Sequence, residues 1–165
     1  MPEPRVERPA MEAYGVPSEP DGMLPWDWAR ERLVRSKNYW VVTANAAGRP
    51  HALPVWGVWD DEGFGFSCAP ESRKARNLAV NQQVVVAADD TVEVVSVEGV
   101  ASPMASGQIQ FADAYALKYE PDAVKREAMA GFVLSNLMFR VVPERAFGTI
   151  EREDEFAQRA TRWAW

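Results

Sequence analysis

Hydrophobic positions along this chain follow two periods, and the changes between them mark the elements. Pro25 opens a stretch of period near four, Trp26-Asp27-Trp28-Ala29-Arg30-Glu31-Arg32-Leu33-Val34, in which Trp26, Ala29, Leu33 and Val34 form one apolar stripe. Proline suits a first helical turn because the N–H it lacks would have had no partner inside the helix. Arg35 and Lys37 follow at the C-terminal end, where the helix dipole favours cations. From Tyr39 the period becomes that of strands. Tyr39–Ala44 is aromatic and β-branched, and Asn45-Ala46-Ala47-Gly48 supplies a turn. A second strand is predicted from Pro50 to Trp59, then an acidic turn, Asp60-Asp61-Glu62-Gly63. Phe64, Phe66 and Cys68 then alternate in a third strand, so the three read as an antiparallel meander.

The pattern next predicts a short helix over 72–81, with Ala75, Leu78 and Ala79 as its buried side. Strands follow over 84–88 and 91–100, helices over 106–119 and 122–131 separated by Pro121, and strands over 137–142 and 147–150. Residues 1–24 are dense in proline (Pro2, Pro4, Pro9, Pro17, Pro20) and read as a mobile or surface-draped arm before one domain over 25–165. The expected fold is mainly β with small helices (α+β), a six-stranded antiparallel β-barrel with helical decoration.

Composition narrows the function classes. With 165 residues, 47% apolar and 25% charged, the chain is an ordinary globular domain. A net charge of -6 argues against nucleic acid and anionic membranes as partners. No apolar run reaches the roughly 20 residues of a membrane span, and Met-Pro-Glu-Pro-Arg lacks the order of a secretion signal, so a cytoplasmic location is expected. One cysteine, Cys68, and one histidine, His51, exclude an internal disulfide, a cysteine zinc cage and a two-histidine site, so no metal is expected. Ser72 has no histidine at any hydrolase spacing. Glu120 with Asp122, Glu151 with Glu153, and Asp60-Asp61-Glu62 read as solvated turns.

Chemistry concentrates in Ser72-Arg73-Lys74-Ala75-Arg76-Asn77. Ser72 is a good helix N-cap, but Arg73 and Lys74 place cations at the end where the dipole disfavours them. A bound phosphate would reverse that cost, with Asn77 one turn on within reach of the same ligand. The alternative is a solvated basic face. His51 shares a strand face with Leu53, Val55 and Gly57, and is a packed histidine, a proton donor or a haem ligand. Cys68 reads as a small buried group rather than a nucleophile.

Four segments in order resemble the pyridoxamine-phosphate-oxidase-like split-barrel flavoproteins, especially their actinobacterial F420- or FMN-binding branch. They are Asn38-Tyr39-Trp40-Val41-Val42-Thr43, then Gly48-Arg49-Pro50-His51-Ala52-Leu53-Pro54-Val55-Trp56-Gly57, then Ser72-Arg73-Lys74-Ala75-Arg76-Asn77-Leu78 and Val94-Val95-Ser96-Val97-Glu98-Gly99. The ending Ala160-Thr161-Arg162-Trp163 is also similar to that branch. The resemblance implies a split barrel of the FMN-binding type and a homodimer with two cofactor sites at the subunit interface. It implies an F420- or FMN-dependent oxidoreductase that transfers a hydride to or from a small planar electrophile. Leu53, Pro54, Val55, Trp56 and Gly57 would lie along the cofactor ring through backbone groups, and Ser67 and Cys68 near the ribityl chain. Arg73 and Lys74 would hold the phosphate, with Ser72 and Asn77 beside them. His51, Arg162 and Trp163 would border the substrate pocket, and no catalytic residue is assigned. A non-catalytic flavin or haem binder of the same fold is the alternative. The oxidases themselves carry a lysine where this chain has Gly57, and a C-terminal arginine and histidine; here the tail has no histidine, so vitamin B6 phosphate is a poor substrate candidate.

Overall fold

The computed structural model describes all residues 1–165. Its framework is a single antiparallel sheet of nine strands, curved on itself. Strand β2 (Tyr39–Ala44) pairs with β3 (Pro50–Val55) on one side and β6 (Gln83–Ala88) on the other. From β6 the sheet continues through β7 (Glu93–Pro103) to the long β8 (Leu137–Ile150), whose first half also pairs with β5 (Gly63–Cys68). The last strand of the circuit, β4 (Gly57–Asp60), pairs with β5.

The strand predicted over 50–59 is therefore two strands, broken at Trp56. Counted as one bent strand, β3 and β4 complete a six-stranded circuit with β2, β5, β6, β7 and β8. No ladder joins β3 to β4, and that seam is the split in the barrel. The predicted meander holds as two hairpins, β2–β3 and β4–β5, on either side of this corner. Gly63 makes the β4–β5 turn possible, with φ +119 and a position where a Cβ would lie 2.2 Å from the Val141 carbonyl oxygen.

The two strands expected over 137–142 and 147–150 are one continuous strand, β8. The register shifts at Glu98/Gly99, a bulge opposite Pro143 and Glu144, where a proline without an N–H is tolerated. The second half of β8 pairs with β9 (Thr161–Ala164), and β9 with β1 (Arg5–Glu7). The proline-rich arm is thus tied to the sheet rather than hanging free. Arg8 fastens it further, donating to the carbonyls of Glu19, Asp21, Gln158 and Ala160.

Alternation along the strands fills the barrel with Tyr39, Val41, Phe64, Phe66, Val86, Val95, Val97 and Val141, all fully buried. Helix α1 (Trp26–Arg35) closes one end with Trp26, Ala29 and Leu33, whereas Val34 of the predicted stripe is exposed. Trp163 enters the same core, its ring edge-on to Trp26 at 5.6 Å. A second cluster joins α3 (Gln108–Tyr119) and α4 (Ala123–Leu134) through Phe111, Ala112, Tyr115, Ala116, Ala130 and Val133. Two short helices, α2 (Arg73–Leu78) and α5 (Phe156–Arg159), fill joints. No helix is long and apolar enough to cross a membrane.

Candidate functional site

Helix α2 follows β5 after a short turn, and the Ser72 hydroxyl caps it by accepting from the Ala75 N–H at 3.1 Å. Lys74, Ala75, Asn77 and Leu78 face inward, while the expected inward residue Ala79 is exposed. Asn77 fixes this rotation: its side-chain amide donates to the Thr43 hydroxyl of β2 at 2.9 Å, in a buried setting. The helix thereby carries Lys74 down against the barrel, leaving it 8% exposed, with Arg73 on the exposed side. Neither cation has a carboxylate within ion-pair distance, although acidic residues outnumber basic ones by 24 to 18.

His51 lies opposite Thr43 in the β2–β3 register, so α2, β2 and β3 converge here. Burial and the charges of Arg73 and Lys74, in that order, hold its imidazole below the ordinary pKa of 6.5. Its Nδ1 is buried and has no hydrogen-bond partner. His51, expected at the substrate pocket, thus stands beside the two cations. Ser67 and Cys68 end β5 opposite Met138 and Leu137, half-buried, just before the capped turn.

Strand β3 has one neighbour, β2, so the backbone donors and acceptors along its other edge are free of strand partners. Leu53, Pro54 and Trp56 are exposed on it and Val55 packs against the core. Such an edge suits recognition of a flat ligand through backbone groups. Gly57 is buried, and a Cβ there would sit 2.3 Å from the Phe64 ring and 2.6 Å from the Gly65 carbonyl oxygen.

The C-terminal candidates lie elsewhere. Trp163 is a correction: fully buried in the core, with Gly148 leaving room for its ring, it borders no opening. Strand β9 has strands on both sides, so its inward-pointing positions are sealed. Arg162 points the other way, into a polar cleft of about 700 Å³ shared with Arg5, Glu98, Glu144 and Arg145. That cleft includes no residue of α2 or β3. None of the five principal cavities of the single chain is lined by Arg73 or Lys74; one of about 250 Å³ is lined by Thr43, Ala44 and Pro50.

Sequence reading missed Lys118 and Tyr119, at the end of α3. The Lys118 Nζ donates to the Tyr39 hydroxyl at 2.7 Å and to the Gly57 carbonyl at 3.1 Å. The Gly57 N–H donates to the Tyr119 hydroxyl at 3.0 Å, and the Trp56 indole stacks on the Tyr119 ring at 4.7 Å. The spacing Tyr115, Lys118, Tyr119 was the available signal, since it places all three on one helix face.

An antiparallel barrel split at one seam, with a basic helical turn after the hairpin that follows the seam, defines the split-barrel class. A family model described as pyridoxamine 5'-phosphate oxidase matches residues 26–141, and the chain belongs to that family. Among solved structures it is similar to HutZ, the haem storage protein from Vibrio cholerae, with 23% identity, a TM-score of 0.57, and 72% of this chain and 87% of that one covered. It is similar to the conserved hypothetical protein Rv2991 from Mycobacterium tuberculosis (18% identity, TM-score 0.66, covering 78% and 86%). It is also similar to an F420 reductase (21% identity, TM-score 0.52, covering 71% and 94%). At these identities the likeness concerns the fold. No curated protein matches the sequence.

Proposed function

We propose that the chain binds a phosphate-bearing flavin-type cofactor, F420 or FMN, and serves as an oxidoreductase for a small planar electrophile. One observation carries the reading: Arg73 and Lys74 are adjacent, one exposed and one 8% exposed, and no carboxylate neutralises either. The Lys74 stem packs against the barrel while its ammonium has no hydrogen-bond or carboxylate partner, and a bound phosphate would supply charge-assisted hydrogen bonds of about 1.5–3 kcal/mol each. Burial first, and then the charges of Arg73 and Lys74, lower the His51 pKa.

Arg73 and Lys74 would hold the phosphate, and the free edge of β3 would run beside the ring through the backbone of residues 53–57. When bound, the cofactor supplies hydride transfer; the chain positions the ring and keeps water from it. His51, held neutral, would donate or accept one hydrogen bond near the phosphate. A second copy of the chain is proposed to complete the site over the exposed Trp40, Leu53, Pro54 and Trp56, two of which, Trp40 and Pro54, face each other across the β2–β3 ladder. Pyridoxamine phosphate does not fit as the substrate, because Gly57 has no room for a side chain and His51 is the sole histidine. The likeness to an F420 reductase and the Arg162-Trp163 ending favour F420 over FMN.

The test is the absorption spectrum of the protein purified from a host that makes both cofactors. A deazaflavin band supports F420 and a flavin band supports FMN. A Soret band would instead assign the fold to haem, as in the haem storage protein it resembles. A colourless protein that takes up none of them on titration would overturn the proposal.

A further inference from the structure

In an extended strand the N–H and C=O of one residue point to the same edge. At Gly57 that edge faces the seam, where no strand pairs with β4 except β5 on its other side. Side chains from α3 take the missing strand's place. The Tyr119 hydroxyl accepts from the Gly57 N–H at 3.0 Å and lies 2.9 Å from the Gly57 carbonyl and 2.6 Å from that of Lys37. The Lys118 ammonium donates to the Gly57 carbonyl and to Tyr39, whose own hydroxyl donates to the Leu33 carbonyl at 2.5 Å.

We infer that Lys118 and Tyr119 are positioning residues: together they hold both backbone groups of Gly57, so the kink at Trp56 and the edge that β3 presents depend on whether Lys118 carries its proton. The inference rests on the proposed function only for what β3 faces. Every neighbour of the Lys118 Nζ is neutral or distant in charge. Tyr39 reaches it from β2, and Tyr119 flanks it on α3 with its ring 5.4 Å away. Tyr115 packs against Tyr119 with the rings tilted, centroids 4.8 Å apart, and Lys37 contributes a carbonyl to Tyr119. Asp89, in the turn after β6, is the acid facing the cluster, and it accepts from Ser36 and Asn38. Burial without a close carboxylate pulls the lysine down to about 8, within reach of an ordinary titration. Losing the proton turns two charge-assisted hydrogen bonds into neutral ones of roughly half the strength.

A single peptide reports this directly, because Trp56-Gly57 is the one Trp-Gly step in the chain. Labelling tryptophan carbonyl carbon with ¹³C and glycine nitrogen with ¹⁵N leaves one cross-peak for that peptide. Between pH 6.5 and 9.5 the wild-type peak should move with a midpoint near 8. In Lys118→Met it should stay still, and in Lys118→Arg it should stay near its low-pH position throughout. A peak that does not titrate in the wild type, or one that titrates unchanged in Lys118→Met, overturns the inference; if Lys118→Met does not fold, Lys118→Arg decides by the same criterion. Titrating FMN and F420 over the same range should show affinity falling about three- to tenfold above the midpoint in the wild type and not in Lys118→Arg. Should the wild type bind neither, the proposed function fails while the peptide titration still decides this inference.

Discussion

Lys74→Met separates what the Lys74 charge does for the fold from what it contributes to a phosphate. The methionine keeps most of the apolar stem and removes only the charge. The Lys74 stem packs against the barrel, and its ammonium has no carboxylate partner in the fold, so the charge contributes little to stability. The variant should therefore keep the wild-type stability to within about 1 kcal/mol. For a chain of this size that is a change in Tm of at most about 4 °C. Binding should fall. Losing one charge-assisted hydrogen bond, about 1.5–3 kcal/mol, raises Kd by about 10- to 150-fold. The assay titrates wild type and variant with FMN and with riboflavin, which lacks the phosphate; for F420 the partner is its phosphate-free chromophore. The loss should appear for the phosphate-bearing form alone. An equal loss for both forms, an unchanged FMN and F420 affinity, or a Tm lowered by more than a few degrees would mean that Lys74 does not serve a phosphate.

Other outcomes follow from the same geometry. His51 should titrate below 6.5, move upward in Lys74→Met, and move upward again when inorganic phosphate is added to the wild type; as the sole histidine it gives one set of imidazole resonances to follow. Stability should climb between pH 8 and pH 10, because Lys118 releases its proton near 8 in the fold and near 10.5 when unfolded, so the unfolded chain binds more protons in that window. With the group half-exposed the gain is about 1–2 kcal/mol, read by urea unfolding, and Lys118→Met should lack it. Above pH 10 the trend should reverse, since burial raises Tyr39 and Tyr119 and the folded chain keeps protons that the unfolded chain loses. Gly148→Ala should cost about 1–3 kcal/mol by thermal unfolding, since its methyl would meet the Trp163 ring at 2.8–2.9 Å, with cofactor affinity unchanged in the folded protein.

What the sequence revealed was governed by local chemistry, and what it concealed by partners distant in the chain. The boundaries of α1, β2 and β5 and the cap at Ser72 follow from periodicity and capping residues, and the structure reproduces them closely. The break at Trp56 was hidden because residues on both sides are equally strand-like, and the Tyr119 hydroxyl that meets the Gly57 N–H there lies 62 positions away. The continuity of β8 was hidden by Pro143, which reads as a turn until Glu98 and Gly99 supply the bulge that accepts it. Three residues, Arg5–Glu7, are too few to announce a strand, so the arm's attachment to β9 was not legible. At the site, adjacency made Arg73 and Lys74 visible, and alternation grouped His51 with Leu53, Val55 and Gly57. Their meeting was not visible, since it depends on the Asn77–Thr43 bond that sets the rotation of α2. Trp163 was misplaced because aromatic character alone does not say which side of a strand faces the core.

An equilibrium titration of the Arg73→Ala/Lys74→Ala double variant beside the wild type shows whether the two uncompensated cations hold the phosphate of the proposed flavin-type cofactor. The wild type should bind F420 or FMN at micromolar Kd or tighter, competed by inorganic phosphate, with affinity in the double variant lower by about 3 kcal/mol or more while the fold persists. Identical binding curves for the two proteins, or no binding of either cofactor to the wild type, would contradict it.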